Sequence, residues 1–145
     1  MSTHAVHMAL RGQAIAALPA VRRWENSESV TAIAPGTEYV EEELVPAGGQ
    51  LYGVRDGGTV KDQGLYVIRW YGVANQGTQA LSTSLDALLA RFPAGSKIAA
   101  TDGSYVHVMG NPKPWRTQIT NPSDAPGRAV STVRVPFYVL TINPT

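Results

Sequence analysis

The strongest constraint on this fold is a strand pattern that runs directly into an amphipathic helix, between Gly64 and Phe92. Residues 65–73 are mostly β-branched and aromatic, a composition typical of a buried strand. After a Gly-Thr pair, apolar side chains recur at the spacing of one helical face: Leu81, Leu85, Leu88, Leu89 and Phe92. Because the strand and the helix each need an apolar cover, we expect them to pack together in a two-layer core.

The boundaries of this helix are predicted by its flanking residues. Thr78 is the expected N-cap, with its side chain accepting a hydrogen bond from a backbone N–H of the first turn. Pro93 and Gly95 predict the end of the helix. An Ala-rich apolar stripe predicts a second helix over residues 3–18, which ends before Pro19.

Extended segments flank the central strand and helix. We predict strands over residues 39–45, 97–100, 105–109, 115–120 and 129–142. In the last of these, alternate residues form one apolar face: Val133, Val135, Phe137 and Val139. Pro136 has no N–H, so we expect an open edge or a bulge at that point. The pattern indicates a single α+β domain over residues 1–145, with long loops rich in Gly and Pro.

Composition excludes several classes of protein. The chain has 145 residues, of which 43% are hydrophobic, and this indicates one globular domain. The net charge of +1 argues against a large basic surface for nucleic acid. The chain has no cysteine, which excludes disulfides and thiolate metal sites. No apolar run is long enough to span a membrane, and polar residues interrupt any N-terminal signal core, so we expect a protein used without secretion.

Residues 46–64 form a Gly-rich segment, which we call the arm, between two predicted strands. Asp56-Gly57 is a favourable hairpin turn, so the arm is either a long β-hairpin or a flexible loop. The glycine spacing matches neither the dinucleotide nor the P-loop pattern, and a phosphate-binding role is not predicted.

Candidate chemical groups do not combine into a site. Glu41 and Glu43 face one side of their strand and Glu42 faces the other, and we interpret all three as a solvated surface. His4 and His7 share a helix face, but a metal site needs a further ligand. His107, Ser104 and Asp102 are the residue types of a catalytic triad. They lie around one turn and no oxyanion hole is visible, so we do not expect them to act as one. We therefore expect no catalytic, metal or cofactor-binding residues, and no enzyme.

The order of features resembles a known family more clearly than any single motif does. Trp24-Glu25-Asn26 follows the first helix, the arm leads into the central strand, and Phe92-Pro93-Ala94-Gly95 follows the second helix. A hairpin and a last strand with Pro136-Phe137-Tyr138 complete the chain. Over nearly its whole length the chain resembles the small tail-terminator proteins of long-tailed bacteriophages. Residues 111–127 depart from the pattern, because this loop is longer and richer in proline.

The resemblance implies a mixed sheet with both helices on one side, and a structural virion protein without catalysis or cofactor. Such proteins form a ring, usually a hexamer, that caps the tail tube, ends its polymerisation and joins the tail to the head connector. The implied partners are further copies of the chain, the tail tube protein and the connector or neck protein. DNA passes through the lumen without specific binding, and no membrane is involved. The implied location is the tail–head junction of the virion, reached by assembly in the host cytoplasm.

The candidate site is therefore an interface rather than a pocket. Trp70 is expected in the core, whereas Trp24 and Trp115 suit either a core or an interface. We take the interface residues to be Trp24, Asn26, Arg55, Asp56, Lys61 and Trp115. The alternatives are another head–tail connector or neck protein, and a small enzyme or ligand-binding domain that collects His107, Asp102 and Glu41 in a pocket.

Overall fold

A computed structural model of the protein describes residues 3–19, 22–23, 36–52, 59–75, 77–122 and 127–142. Within these ranges the chain forms helices α1 (Thr3–Ala14) and α2 (Gln79–Ala90), with a 3-10 turn at Ile15–Ala17 after α1. Its seven strands are β1 (Arg22–Arg23), β2 (Tyr39–Tyr52), β3 (Thr59–Tyr71), β4 (Lys97–Ala99), β5 (Tyr105–Val108), β6 (Trp115–Arg116) and β7 (Val130–Ile142). The predicted α+β class is confirmed.

The seven strands form one sheet in the order β1-β2-β3-β7-β5-β4, with β6 also paired to β7. Strand β1 is parallel to β2, and the other strand pairs are antiparallel. The sheet is therefore mixed and mostly antiparallel, as predicted. Its centre consists of three long strands, β2, β3 and β7, which pair side by side and fix the register of everything around them.

The arm is a β-hairpin rather than a loop. Strands β2 and β3 pair from Tyr39 opposite Tyr71 to Tyr52 opposite Thr59, and the predicted Asp56-Gly57 turn lies outside the described residues. A register shift between Pro46 and Gly48 places one extra residue in β2, which is a β-bulge at the base of the arm. Strand β7 follows β3 along its full length. The arm therefore has three paired strands, which make it stiffer than an isolated hairpin.

Both helices pack on one face of the sheet. Alternate residues of β3, β5 and β7 join the apolar stripes of α1 and α2 in one buried cluster, and alternate residues of a strand point to one face. Four of the five predicted residues of α2 are buried, and Leu89 is partly buried. Trp70 is 2% exposed, which confirms its predicted place in the core. The predicted apolar face of β7 is also confirmed: Val133, Val135, Phe137 and Val139.

The start of α2 differs from its prediction in one respect. Thr78 is the N-cap of α2, but the predicted side-chain cap is wrong, because its backbone is helical (φ −113°, ψ −13°) and no cap hydrogen bond forms. Its carbonyl instead accepts a hydrogen bond from Ser82 N at 2.9 Å.

Pro136 lies between the segments of β7 that pair with β5 and with β6, so its missing N–H falls at a gap in the pairing. However, β7 lies inside the sheet, its pairing with β3 has no bulge at Pro136, and the Pro136 carbonyl accepts a hydrogen bond from Met109 N at 2.9 Å, so the predicted open edge or bulge is not found.

Gly64 is required by close packing at the base of the arm. A Cβ at this position would lie 2.8 Å from Phe137 Cζ and 2.9 Å from the backbone oxygen of Val45. We expect Gly64→Ala to lower the free energy of unfolding by about 1–3 kcal/mol, because the backbone oxygen cannot move aside without breaking the sheet. Urea denaturation measures this change.

Gly12→Ala is the matched control for Gly64→Ala. Gly12 is exposed in α1 and has no atom within 4 Å of an added Cβ. Alanine favours the helix interior over glycine, so we expect a gain of about 0.5–1 kcal/mol. A Gly64→Ala variant as stable as the Gly12→Ala variant would contradict the close packing.

Candidate functional site

The face of the sheet opposite the two helices carries a dense set of polar and aromatic side chains. We call it the uncovered face. Its residues form rows across paired strands because directly opposed residues point to the same side. The rows are Tyr39–Tyr71–Val130, Glu41–Arg69–Thr132, Glu43–Val67–Arg134–Trp115 and Gln63–Tyr138–His107–Lys97.

The two middle rows with glutamate and arginine form an open concavity of about 630 Å³, lined among others by Thr132. Glu43 and Arg134 lie in the same row with Val67 between them. Two strand spacings separate the backbones of Glu43 and Arg134 by about 10 Å. Within the described ranges neither of these two side chains makes an ion pair. Besides the directly opposed Glu41 and Arg69, the concavity therefore offers a carboxylate and a guanidinium on either side of the apolar Val67.

A wall of stacked aromatic rings closes one end of the concavity. The rings of Tyr39 and Tyr71 are parallel, with centroids 4.3 Å apart. The guanidinium groups of Arg128 and Arg69 lie over these rings at 5.0 and 5.1 Å. Burial raises the pKa of Tyr71 to about 12, and the negative charge and hydrogen bond of Glu41 add to the effect. Tyr71 therefore stays protonated at neutral pH, and the wall is uncharged apart from its arginines.

The other end of the uncovered face is aromatic and basic. His107 stacks on Tyr138 with ring centroids 4.7 Å apart, and Lys61 Nζ lies 4.6 Å from the Tyr138 centroid. Burial, together with the nearby charge of Lys97, lowers the pKa of His107. Tyr105 and Leu140 are exposed apolar side chains at the same end, with 51% and 44% of their surface accessible.

The structure describes two of the six predicted interface residues. Lys61 and Trp115 both lie on the uncovered face, at its basic end and beside Arg134 respectively. Trp115 is 37% exposed, so it is available for contact with a partner. The other four, Trp24, Asn26, Arg55 and Asp56, lie outside the described residues.

Glu42 contradicts the prediction that all three glutamates are solvated. Its side chain is fully buried beneath α1, where Arg11 binds both carboxylate oxygens. His7 Nε2 and the Tyr66 hydroxyl contact the same carboxylate at 2.8 and 2.5 Å. Strand alternation could have indicated this burial, because it places Glu42 on the same side as Val40 and opposite to Glu41 and Glu43. A buried carboxylate requires a cation, and Arg11 supplies it.

The charges around Glu42 settle its ionisation state. Burial alone would raise the pKa of Glu42, but hydrogen bonds from Arg11 and Tyr66 and the electrostatic effects of His7 and Arg11 outweigh burial, and the net pKa is lowered. Burial and the adjacent carboxylate raise the pKa of Tyr66. Glu42 is therefore an ionised, paired group that joins α1 to the sheet.

The other groups considered for chemistry have local structural contacts. The Asp102 carboxylate accepts hydrogen bonds from the backbone N–H of Ser104 at 3.1 Å and from its hydroxyl at 2.5 Å, and so stabilises the turn before β5. His4 is exposed, whereas His7 is 14% exposed and bound to Glu42, so the two histidines do not share one environment. In the part of the chain that the structure describes, no cluster of three or more His, Asp or Glu residues is suited to a metal ion.

Comparisons with known proteins identify a shared fold but no function. No protein-family model and no curated protein sequence matches the chain. Among solved structures, the chain is similar to a protein that carries no functional name, with a TM-score of 0.70 and 18% identity over 100% of this chain and 99% of that chain. This similarity shows a shared fold alone. None of the described helices has the length and apolar character needed to cross a membrane.

Proposed function

We propose that this protein is a structural subunit that assembles into a ring on the end of a phage tail tube, where it ends tube polymerisation and joins the tail to the head connector. The observation that carries the proposal is the uncovered face of the sheet. It combines the exposed apolar side chains Tyr105, Trp115 and Leu140 with a row of charges, and neither helix packs on it. An exposed apolar surface bordered by polar groups is typical of a protein–protein interface.

The size of the uncovered face supports this role. The Tyr39–Tyr71–Val130 row is buried, which leaves the three other named rows and the Val45–Leu65–Pro136 row between them. Four rows at about 6.8 Å along the strands, across three or four strands at about 4.8 Å, give roughly 400–520 Å². A stable interface buries about 800 Å² on each partner, so this face supplies about half of one side.

A ring also needs a second, different surface, because each subunit of a cyclic assembly contacts two neighbours through unlike patches. The arm is a suitable second surface, since it is stiffened by three paired strands and begins at the tightly packed Gly64. The uncovered face and the arm together therefore support a head-to-tail ring, and the resemblance to tail-terminator proteins supplies its place on the tail.

A neck or connector protein would share this body and is the alternative to be tested. Purified protein is incubated separately with isolated tail tubes and with isolated portal complexes, and bound material is measured after sedimentation. The proposed function predicts binding at the ends of the tubes. Binding to the portal complex without binding to tubes would replace the proposed function with the neck role.

Shortening the arm separates assembly from folding. We expect replacement of residues 53–58 by Asn-Gly to leave the domain folded, because an Asn-Gly turn closes a two-residue hairpin. Ring assembly should fall by at least about tenfold, since the arm supplies one of two required surfaces. Circular dichroism measures the fold, and analytical ultracentrifugation measures assembly.

Asp102→Asn is the control for the shortened arm, because it alters the turn before β5 and keeps a side-chain acceptor for Ser104. It should assemble like the wild-type protein. Undiminished assembly of the shortened variant would show that the arm is not an assembly surface.

A further inference from the structure

We propose that the tip of the arm, residues 53–58, of one copy docks in the charged concavity of the next copy. The inference rests on the proposed ring and names the contact that closes it. The concavity is the surface on the uncovered face lined by Glu41, Glu43, Val67, Arg69, Thr132 and Arg134.

Charge complementarity favours this occupant. The tip has the sequence Gly-Val-Arg-Asp-Gly-Gly, with one cation and one anion in succession after an apolar residue. The concavity presents the Glu43 carboxylate and the Arg134 guanidinium on either side of Val67. Arg55 of the tip matches Glu43, and Asp56 matches Arg134 in the bidentate geometry that arginine and carboxylate favour. Val54 provides the apolar contact for Val67.

The direction of the described part of the arm favours a tip from another copy. Strand β2 passes the concavity at Glu43 and continues to Tyr52, where it still pairs with Thr59. Nine residues at about 3.3 Å each carry the chain about 30 Å away from its own concavity. Strand β2 pairs with β3, and β3 pairs with β7, along this length, so the arm stays extended up to Tyr52 and Thr59.

A contact between a tip and a concavity is heterologous, because it joins two different surfaces. Repetition of such a contact produces either a closed ring or an open filament. One contact therefore gives a role to both the arm and the charged rows of the uncovered face.

The absence of cysteine permits a direct test by disulfide trapping. Val54→Cys in the tip and Val67→Cys in the concavity are introduced into separate full-length chains, which are mixed and oxidised. We expect a covalent dimer in the mixture at a yield at least about tenfold above that of either variant alone, since only the mixture places two thiols within disulfide distance. Non-reducing electrophoresis measures the yield.

Ala87→Cys is the control partner for Val54→Cys, because Ala87 is exposed on α2, on the helix side of the sheet. If the mixture containing Ala87→Cys cross-links as well as the mixture containing Val67→Cys, the proposed docking is overturned. Cross-linking to Val67→Cys without any capping of tail tubes would retain the docking and reject the proposed function. Capped tubes without this cross-link would reject the docking alone.

Charge reversal provides a second readout on the same full-length chain. We expect Arg134→Glu to weaken assembly by at least about tenfold, and addition of Asp56→Arg to restore it, because the pair is then reversed rather than broken. Lys113→Glu makes the same kind of charge change at an exposed residue between β5 and β6, outside the named rows of the uncovered face, and should have little effect. An Arg134→Glu variant that assembles like the Lys113→Glu variant would exclude the proposed pair.

Discussion

Glu42→Ala is expected to lower the free energy of unfolding by about 3–5 kcal/mol, because it leaves buried cationic and hydroxyl groups without their partner. The carboxylate of Glu42 is the shared acceptor for Arg11, His7 and Tyr66, and its side chain is fully buried. Urea denaturation at a protein concentration low enough to keep every variant monomeric measures the change, since assembly would otherwise add to the apparent stability.

Glu43→Ala is the matched control for this prediction. It removes the same chemical group one residue further along β2, where the side chain is exposed on the opposite face. A change within about 0.5 kcal/mol is expected for such a surface position. Equal losses in the two variants would show that the buried network does not hold α1 on the sheet.

The pH dependence of stability provides a separate test of the Glu42 network. The pKa of Glu42 is lowered in the folded protein from its ordinary value of 4.5. The stabilisation from this group is therefore complete above the unfolded-state pKa and is lost as the pH falls through the folded-state pKa. We expect the difference in unfolding free energy between wild type and Glu42→Gln to narrow as the pH falls below about 4.5. A constant difference over that range would contradict the assignment.

Leu85→Ala is expected to cost about 2–5 kcal/mol in the free energy of unfolding, through lost apolar burial and the cavity that remains. Leu85 is fully buried between α2 and the sheet, in the same cluster as Leu88 and Phe92. Thermal or urea unfolding measures the change. Leu88→Ala should behave in the same way, because its side chain is also completely buried.

Leu89→Ala is the matched control on the same helix. Its side chain is only partly buried at the edge of the core, so less apolar surface is lost and a smaller cavity forms. The loss should be clearly below that of Leu85→Ala. An equal loss would contradict the packing described for α2, because alanine has a higher helix propensity than leucine and propensity cannot explain a loss.

Side-chain periodicity explains why the body of the fold could be predicted from the sequence. The stripe from Leu81 to Phe92 and the alternation from Val133 to Val139 each indicate one buried face without any knowledge of the partner element. The sequence left the arm open between a long β-hairpin and a flexible loop, and the strand pairing up to Tyr52 and Thr59 supports the hairpin.

The contacts that the sequence did not reveal are long-range. Glu42 is joined to Arg11 and His7 across 31 and 35 residues, and no local pattern indicates which helix covers which strand. The concavity could not be predicted for the same reason, since Glu43, Val67 and Arg134 become neighbours only through the pairing of β2, β3 and β7. The N-cap error at Thr78 is local, because residue type favours a cap but the backbone angles at that position decide whether it forms.

The mass and shape of the purified particle test the central claim most directly. Light scattering at high protein concentration, combined with negative-stain microscopy of the same sample mixed with tail tubes, measures both. The proposed function predicts a discrete closed ring, with about six copies as in the family that the chain resembles, seated on one end of each tube. A particle that stays monomeric at every concentration and leaves the tube ends bare would contradict it.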